Sequence, residues 1–225
     1  MRPWGNAASP SSSSPATSRC DQRRSGGISP NAGLLPALPI VRPAEPELEA
    51  LAKLLNDAKR VTLFCGRGCA GVHGGLMQLA ETLKSPIVHA LGGKEHVEFD
   101  NPYDVGMTGF IGFSSGYAAM HACDVLLMLG TDFPYKQFLP TDAKIAQVDI
   151  RPENLGRRCK LDLGLVGDVG ATIGALLPKL KAKTDRKHLD DSLAHYKKAA
   201  SRRQRTRCLR PMSVRRRSGR RAISP

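Results

Sequence analysis

The chain has 225 residues, with 34 lysines and arginines against 20 aspartates and glutamates, and a formal charge of +14 at pH 7. That length holds one domain of ordinary size plus tails, with ample material for a buried core. Its charge argues against a chain that is basic throughout, because ten arginines fall between Arg202 and Arg221 in a stretch without a single acid.

The six cysteines, Cys20, Cys65, Cys69, Cys123, Cys159 and Cys208, are scattered, which fits reduced thiols better than a disulfide framework. Met1 to about Pro36 is rich in serine, proline and glycine around SPSSSSPATS. Such a segment buries too little apolar surface to offset the entropy of ordering it, so residues 1–37 are expected to be disordered. The start lacks the charged and apolar regions of a signal peptide. No apolar run reaches the ~18–20 residues needed to cross a bilayer, and a cytoplasmic location is expected.

From Pro43 the character changes. PAEPELEALAKLL opens an amphipathic helix with Leu48, Leu51, Leu54 and Leu55 at helical spacing. Val61 to Cys65 reads as a strand, GRGCAG from Gly66 to Gly71 as a turn, and Leu76, Leu79, Ala80 and Leu83 as one face of a helix before a second strand, Ile87 to Ala90. The stretch from Gly92 to Gly106 reads as irregular. A helix from about Ser115 to Ala122 leads to strands at Val125 to Leu129 and Lys144 to Val148, followed by Leu163 to Val166 and a helix from Val169 to about Leu180. Residues 185–200 read as a linker helix, and residues 201–225 as a disordered, arginine-rich tail. The alternation predicts an α/β fold, with a doubly wound, mostly parallel Rossmann-like sheet and helices on both faces.

Gly130, Thr131, Asp132 and Asp149 stand where such a sheet places ligands, outside the carboxyl ends of its strands. Gly66, Gly68 and Gly71 fit G-x-G-x-x-G between a strand and a helix, a pattern that serves either a tight turn or close approach to a phosphate. The acid that completes a dinucleotide fingerprint is missing at the end of the next strand, which reads His89-Ala90-Leu91. Asp149 does close a strand and is suited to accept ribose hydroxyls, whereas Asp168 is placed to cap a helix. Neither the histidines nor Cys65 and Cys69 show metal-ligand pairing. The arginine-rich tail is suited to nonspecific, salt-sensitive anion binding, and a basic nucleic-acid or membrane adaptor is a further reading.

HALGGKEHVEFDNPYDVGMTGFIGFSSGY, followed by LLMLGTDFPYKQFLPTDAKIAQVDI, resembles the central domain of the flavin- and thiamine-diphosphate-dependent pyruvate oxidases, which include quinone-reducing pyruvate dehydrogenases. The resemblance covers about Leu38 to Ala199 and implies an FAD-binding domain over residues 38–184. It implies that Gly66 and Gly68, then Thr108, Gly109, Phe110 and Ile111, then Thr131, Asp132, Phe133, Pro134 and Tyr135, and finally Asp149 contact the flavin. At Asp132 the family commonly carries glutamine, so this chain places a carboxylate there.

In the intact family, thiamine diphosphate and Mg2+ serve the oxidative decarboxylation of pyruvate to acetate and carbon dioxide, with electrons passing to quinone. The family assembles as a homo-oligomer, a tetramer, and peripheral membrane association accompanies quinone reduction. Its thiamine site lies between two other domains whose marks are not found in these residues, so the chain is expected to be inactive alone. Both tails depart from the family's wording, as a shifted reading frame or an incomplete gene model would produce. The central domain of an acetolactate synthase-like enzyme or a decarboxylase is the alternative with the same fold.

Overall fold

The structure is a computed structural model that describes residues 39–208, with side chains described as far as Arg202. The tail expected at 1–37 and the arginine-rich residues 209–225 lie outside the described residues.

In the first half of the domain, α1 (Glu45–Asp57) precedes β1 (Val61–Cys65), and α2 (His73–Leu83) connects it to β2 (Ile87–His89). The short α3 (Lys94–Val97) then leads to β3 (Asp104–Met107). The second half runs through α4 (Ser114–His121), β4 (Val125–Leu129), β5 (Lys144–Asp149), β6 (Leu163–Val166), α5 (Val169–Leu176) and α6 (Lys187–Cys208). All strand pairings are parallel and the sheet order is β3-β2-β1-β4-β5-β6. This is the doubly wound arrangement the sequence predicts. Strand order reverses between β1 and β4, so the loops leaving these neighbours part in opposite directions and open a crevice.

Both central strands are buried along their whole length, VTLFC in β1 and VLLML in β4, as a sheet covered on two faces requires. They pair from Val61 opposite Val125 to Cys65 opposite Leu129. Alternation then sends Val125, Leu127 and Leu129 into the core formed with α1, α2 and α5. Leu126 and Met128 enter a second core with Phe64, Met120 and Phe133. In α1, Leu48, Leu51, Ala52 and Leu55 supply the buried stripe. Glu45 and Glu47 complement the positive end of that helix, and the Glu47 carboxylate accepts the Ala44 amide at 2.9 Å.

Three expectations change. The segment read as irregular contains α3 and the edge strand β3, which pairs with β2 through an interrupted register, Ile87 with Asp104 and His89 with Met107. Asp-Val-Gly-Met offers no apolar run, so tertiary pairing alone makes it a strand. The helix expected to reach Leu180 stops at Leu176 and gives way to a 3-10 turn, Leu177–Lys179, where Pro178 has no amide to extend the helical ladder. The helix read as a linker over 185–200 runs on to Cys208 and belongs to the second layer of the domain. Leu189 is fully buried, and the Tyr196 ring meets Phe113 edge-on at 5.3 Å and covers Gly106 of β3.

Because α6 closes this face, Leu189→Ala is expected to cost about 2–4 kcal/mol in denaturant unfolding. A change below about 0.5 kcal/mol would place α6 outside the cooperative unit.

A buried polar pair sits between β2 and the edge strand. His89 is 1% exposed, and its Nε2 lies 3.4 Å from Asp104 Oδ1 and 3.6 Å from Glu98 Oε2. Burial pushes the Asp104 carboxyl from 3.8 up to about 6, against the pull of the Gly106 amide that it accepts at 3.1 Å. Burial also lowers His89, whose contribution is complete above its ordinary 6.5 and is lost as pH falls below that through the lowered folded value. Asp104 works in the opposite sense. With its folded pKa above the unfolded one, its contribution is complete at acid pH and is lost as pH rises from 3.8 through about 6. Asp104→Asn should therefore reduce the loss of unfolding free energy across this window by about 2–3 kcal/mol. Parallel pH–stability curves for variant and wild type would show that Asp104 titrates normally.

Candidate functional site

At the point where strand order reverses, the turns after β1 and β4 lie against each other. The Gly66 amide donates to the Leu129 carbonyl at 2.9 Å and the Gly68 amide to the Gly130 carbonyl at 3.0 Å. A Cβ on Gly66 would stand 2.4 Å from the Gly130 oxygen, and one on Gly68 would stand 2.7 Å from Gly130 Cα. Gly130 itself has φ +55°, in the left-handed region. The amides of Cys69 and Ala70 donate to Gly66 and Arg67 within the 3-10 turn Arg67–Cys69. Of the two readings the glycine pattern allows, the geometry favours the tight turn: the spacing lets two chains cross, and these amides are already committed. The turn offers a ligand the side chain of Arg67, which is exposed and has no hydrogen bond or ion pair among the described residues.

Beside this crossing opens a cleft of about 420 Å³. Gly66 and Arg67 lie at one end. One wall is the loop after β3, where Thr108, Gly109, Phe110 and Ile111 line the space. The loop after β4 supplies Thr131, Asp132, Phe133, Pro134 and Tyr135. Two of the expected residues do not reach the cleft. Gly68 lies against Gly130 at the crossing itself, outside the cleft's lining. Asp149 is 5% exposed at the end of β5, where its carboxylate accepts the Arg151 amide at 2.9 Å in a local turn.

Aromatic rings build much of the cleft's apolar surface. Phe110 meets Tyr135 at 4.7 Å and Phe138 at 5.3 Å, and Phe133 meets Tyr135 at 5.2 Å, all edge-on. Phe133 is anchored in turn on Phe64 of β1, at 5.1 Å. Phe110 and Ile111 remain 68% and 60% exposed, an apolar surface that a planar ligand or a neighbouring domain would cover. Thr108 is 3% exposed and its Oγ1 has no hydrogen-bond partner. An unmade bond on a buried hydroxyl costs ~1–3 kcal/mol, which a polar ligand group in the cleft would recover.

Asp132 is not a free charge. Its carboxylate accepts from Arg158 Nε at 2.9 Å and Nη2 at 3.1 Å, and from Arg157 Nη1 at 3.1 Å. The contact with Asp132 raises the Arg158 pKa above its ordinary value. Gln147, buried on β5, ties the same two loops together: its amide donates to the Thr131 carbonyl at 3.2 Å and its oxygen accepts the Gly156 amide at 3.2 Å. None of Arg67, Gln147, Arg157 and Arg158 is singled out by the sequence. Arg67 was visible inside the glycine pattern, whereas no local rule pairs Asp132 with arginines 25 and 26 positions away.

A parallel sheet in this order, with a cleft at its reversal, defines the doubly wound, Rossmann-like class of α/β domain. A family model for the thiamine pyrophosphate enzyme central domain matches residues 48–176, and the chain belongs to that family. Among curated relatives, an uncharacterized 42.6 kDa protein in the isoamylase 3' region of Pseudomonas amyloderamosa is 71% identical over 178 residues, covering 78% of this chain and 45% of its own length. The acetolactate synthase of Mycobacterium leprae is 32% identical over 151 residues, covering 64% of this chain and 24% of its own. The chain thus spans less than half the length of these relatives. The benzoylformate decarboxylase structure from Polynucleobacter necessarius shares the fold, with a TM-score of 0.57 at 19% identity, covering 69% of this chain and 32% of that one.

The unpartnered hydroxyl of Thr108, the side chain of Arg67 and the aromatic rings line one cleft, a lining suited to a ligand that joins polar and aromatic groups. The described residues do not fit the magnesium and diphosphate of the thiamine cofactor. Gly167-Asp168-Val169 lacks the second glycine, and the Asp168 carboxylate caps α5 by accepting the Ala171 amide at 2.9 Å. Among the described residues no group of three or more His, Cys, Asp or Glu converges as a metal site.

Thr108→Val keeps the side chain's shape and removes the unpartnered hydroxyl. It is expected to raise the unfolding free energy of the ligand-free protein by about 1 kcal/mol, measured by urea titration. A loss of stability would mean that the hydroxyl finds a partner in solution.

Proposed function

We propose that this chain supplies the flavin-binding layer of a thiamine-diphosphate-dependent enzyme that oxidises pyruvate, with FAD in the cleft at the sheet's reversal point. The observation that carries the reading is the buried, unpartnered hydroxyl of Thr108 on a cleft that also holds an unpaired cation and an open aromatic wall. Arg67 would bind the diphosphate, Thr108 would donate to a ligand oxygen, and Phe110 and Tyr135 would shield flat apolar surface from water. When bound, FAD supplies a two-electron acceptor. The thiamine cofactor would be held by segments other than the described residues, so the chain by itself should turn over pyruvate negligibly.

Quinone as electron acceptor, association at the membrane surface and assembly into a tetramer belong to the same proposal. The stretch GTDFPYKQFLPTDAK, Gly130 to Lys144, supports the oxidase branch. An acetolactate synthase-like chain is the second reading, supported by the relative that bears that name.

Titration of the protein with FAD, followed by flavin fluorescence and calorimetry, should give saturable binding. Arg67→Ala and Thr108→Val should each weaken that binding by about 5- to 10-fold, the equivalent of one charge-assisted or neutral hydrogen bond. Absence of binding at high micromolar protein, or binding indifferent to both changes, would remove the flavin from this cleft.

A further inference from the structure

The cleft is lined by two charged residues, Arg67 and Asp132, at different places on its rim. Their electrostatic states differ. Arg67 has no acidic partner among the described residues, whereas Asp132 is held by both Arg157 and Arg158, with Arg158 gripping both carboxylate oxygens. A carboxylate bound by two guanidinium groups occupies the place that a phosphate would take, because the planar fork of arginine matches either anion. Taken without Asp132, Arg157 and Arg158 would be a second anion site beside the cleft.

We infer that Asp132 is a specificity-determining residue that occupies this second site with an internal anion, leaving Arg67, among the described residues that line the cleft, as the cation without an acidic partner. A ligand that carries a phosphate or diphosphate at one end and an aromatic ring system at the other then has one electrostatically favoured direction of entry. Its anion goes to the turn after β1 and its rings go to the wall built by Phe110 and Tyr135. The Gln147 bracket between Thr131 and Gly156 joins the two loops that carry Asp132 and the arginines. The inference deepens the proposed function and rests on the cleft being the ligand site, but the filled arginine pair can be tested without a flavin.

The test is calorimetric titration with inorganic pyrophosphate at low ionic strength, after cooperative thermal unfolding of each variant has been verified. Wild type is expected to bind one pyrophosphate, Arg67→Ala none, and Asp132→Asn two. Asp132→Asn combined with Arg157→Gln and Arg158→Gln is expected to return to one. If wild type binds none and Asp132→Asn binds one, the inference stands while the anchoring role given to Arg67 falls. Equal stoichiometry in wild type and Asp132→Asn would overturn the inference. So would binding in Arg67→Ala that is abolished by further changing Arg157 and Arg158 to glutamine, because the arginine pair would then be open with Asp132 in place.

Discussion

The crossing of two backbone turns, Gly66 to Gly68 over Gly130, is the constraint on which the rest of this structure depends. β1 and β4 are neighbours running in the same direction, so their carboxyl ends must diverge at one level. With contacts as close as those at Gly66 and Gly68, neither turn tolerates a side chain facing the other. The divergence is fixed by two backbone hydrogen bonds of 2.9 and 3.0 Å. It sets where Arg67 leaves the first turn and where Thr131 begins the second. Once these two points are fixed, the loop after β3 closes the third side, and the cleft has a defined width.

The polar groups around that cleft follow two opposite policies. Asp132, Gln147, Arg157 and Arg158 form a satisfied network, in which each donor or acceptor used has a partner in the neighbouring loop. Such networks rigidify what they join. The Thr108 hydroxyl is buried without a partner, which is unfavourable unless a ligand completes it, and the exposed Arg67 side chain has no ion pair among the described residues. Their contrast separates scaffold from binding surface within a space of a few side chains.

Much of this was legible in the chain. β1 and β4 stand where their apolar runs place them, because strands covered on both faces must be continuously apolar and are bounded by turn residues. The edge strand Asp104–Met107 was hidden, since one covered neighbour and a long α6 supply what its own residues lack. The residues of the cleft were legible through family resemblance more than through chemistry, and membership of the thiamine pyrophosphate enzyme central-domain family agrees with the coarser part of that reading. Chemistry read from spacing left the glycines open between a tight turn and a phosphate loop, and the packing of one backbone turn on another favours the first. It also could not see that the Asp149 carboxylate is engaged by the Arg151 amide, because a turn formed after a strand leaves no periodic mark.

The reach of α6 bears on how this domain can be dissected. The family match ends at residue 176, yet Leu189, Leu193 and Tyr196 cover the face formed by α4 and the outermost strand. A piece trimmed to the family boundary would bare this apolar layer, the kind of exposed patch that favours aggregation. For this chain the packed layer extends beyond its family signature, through the first turns of a helix whose sequence resembles a mere tether.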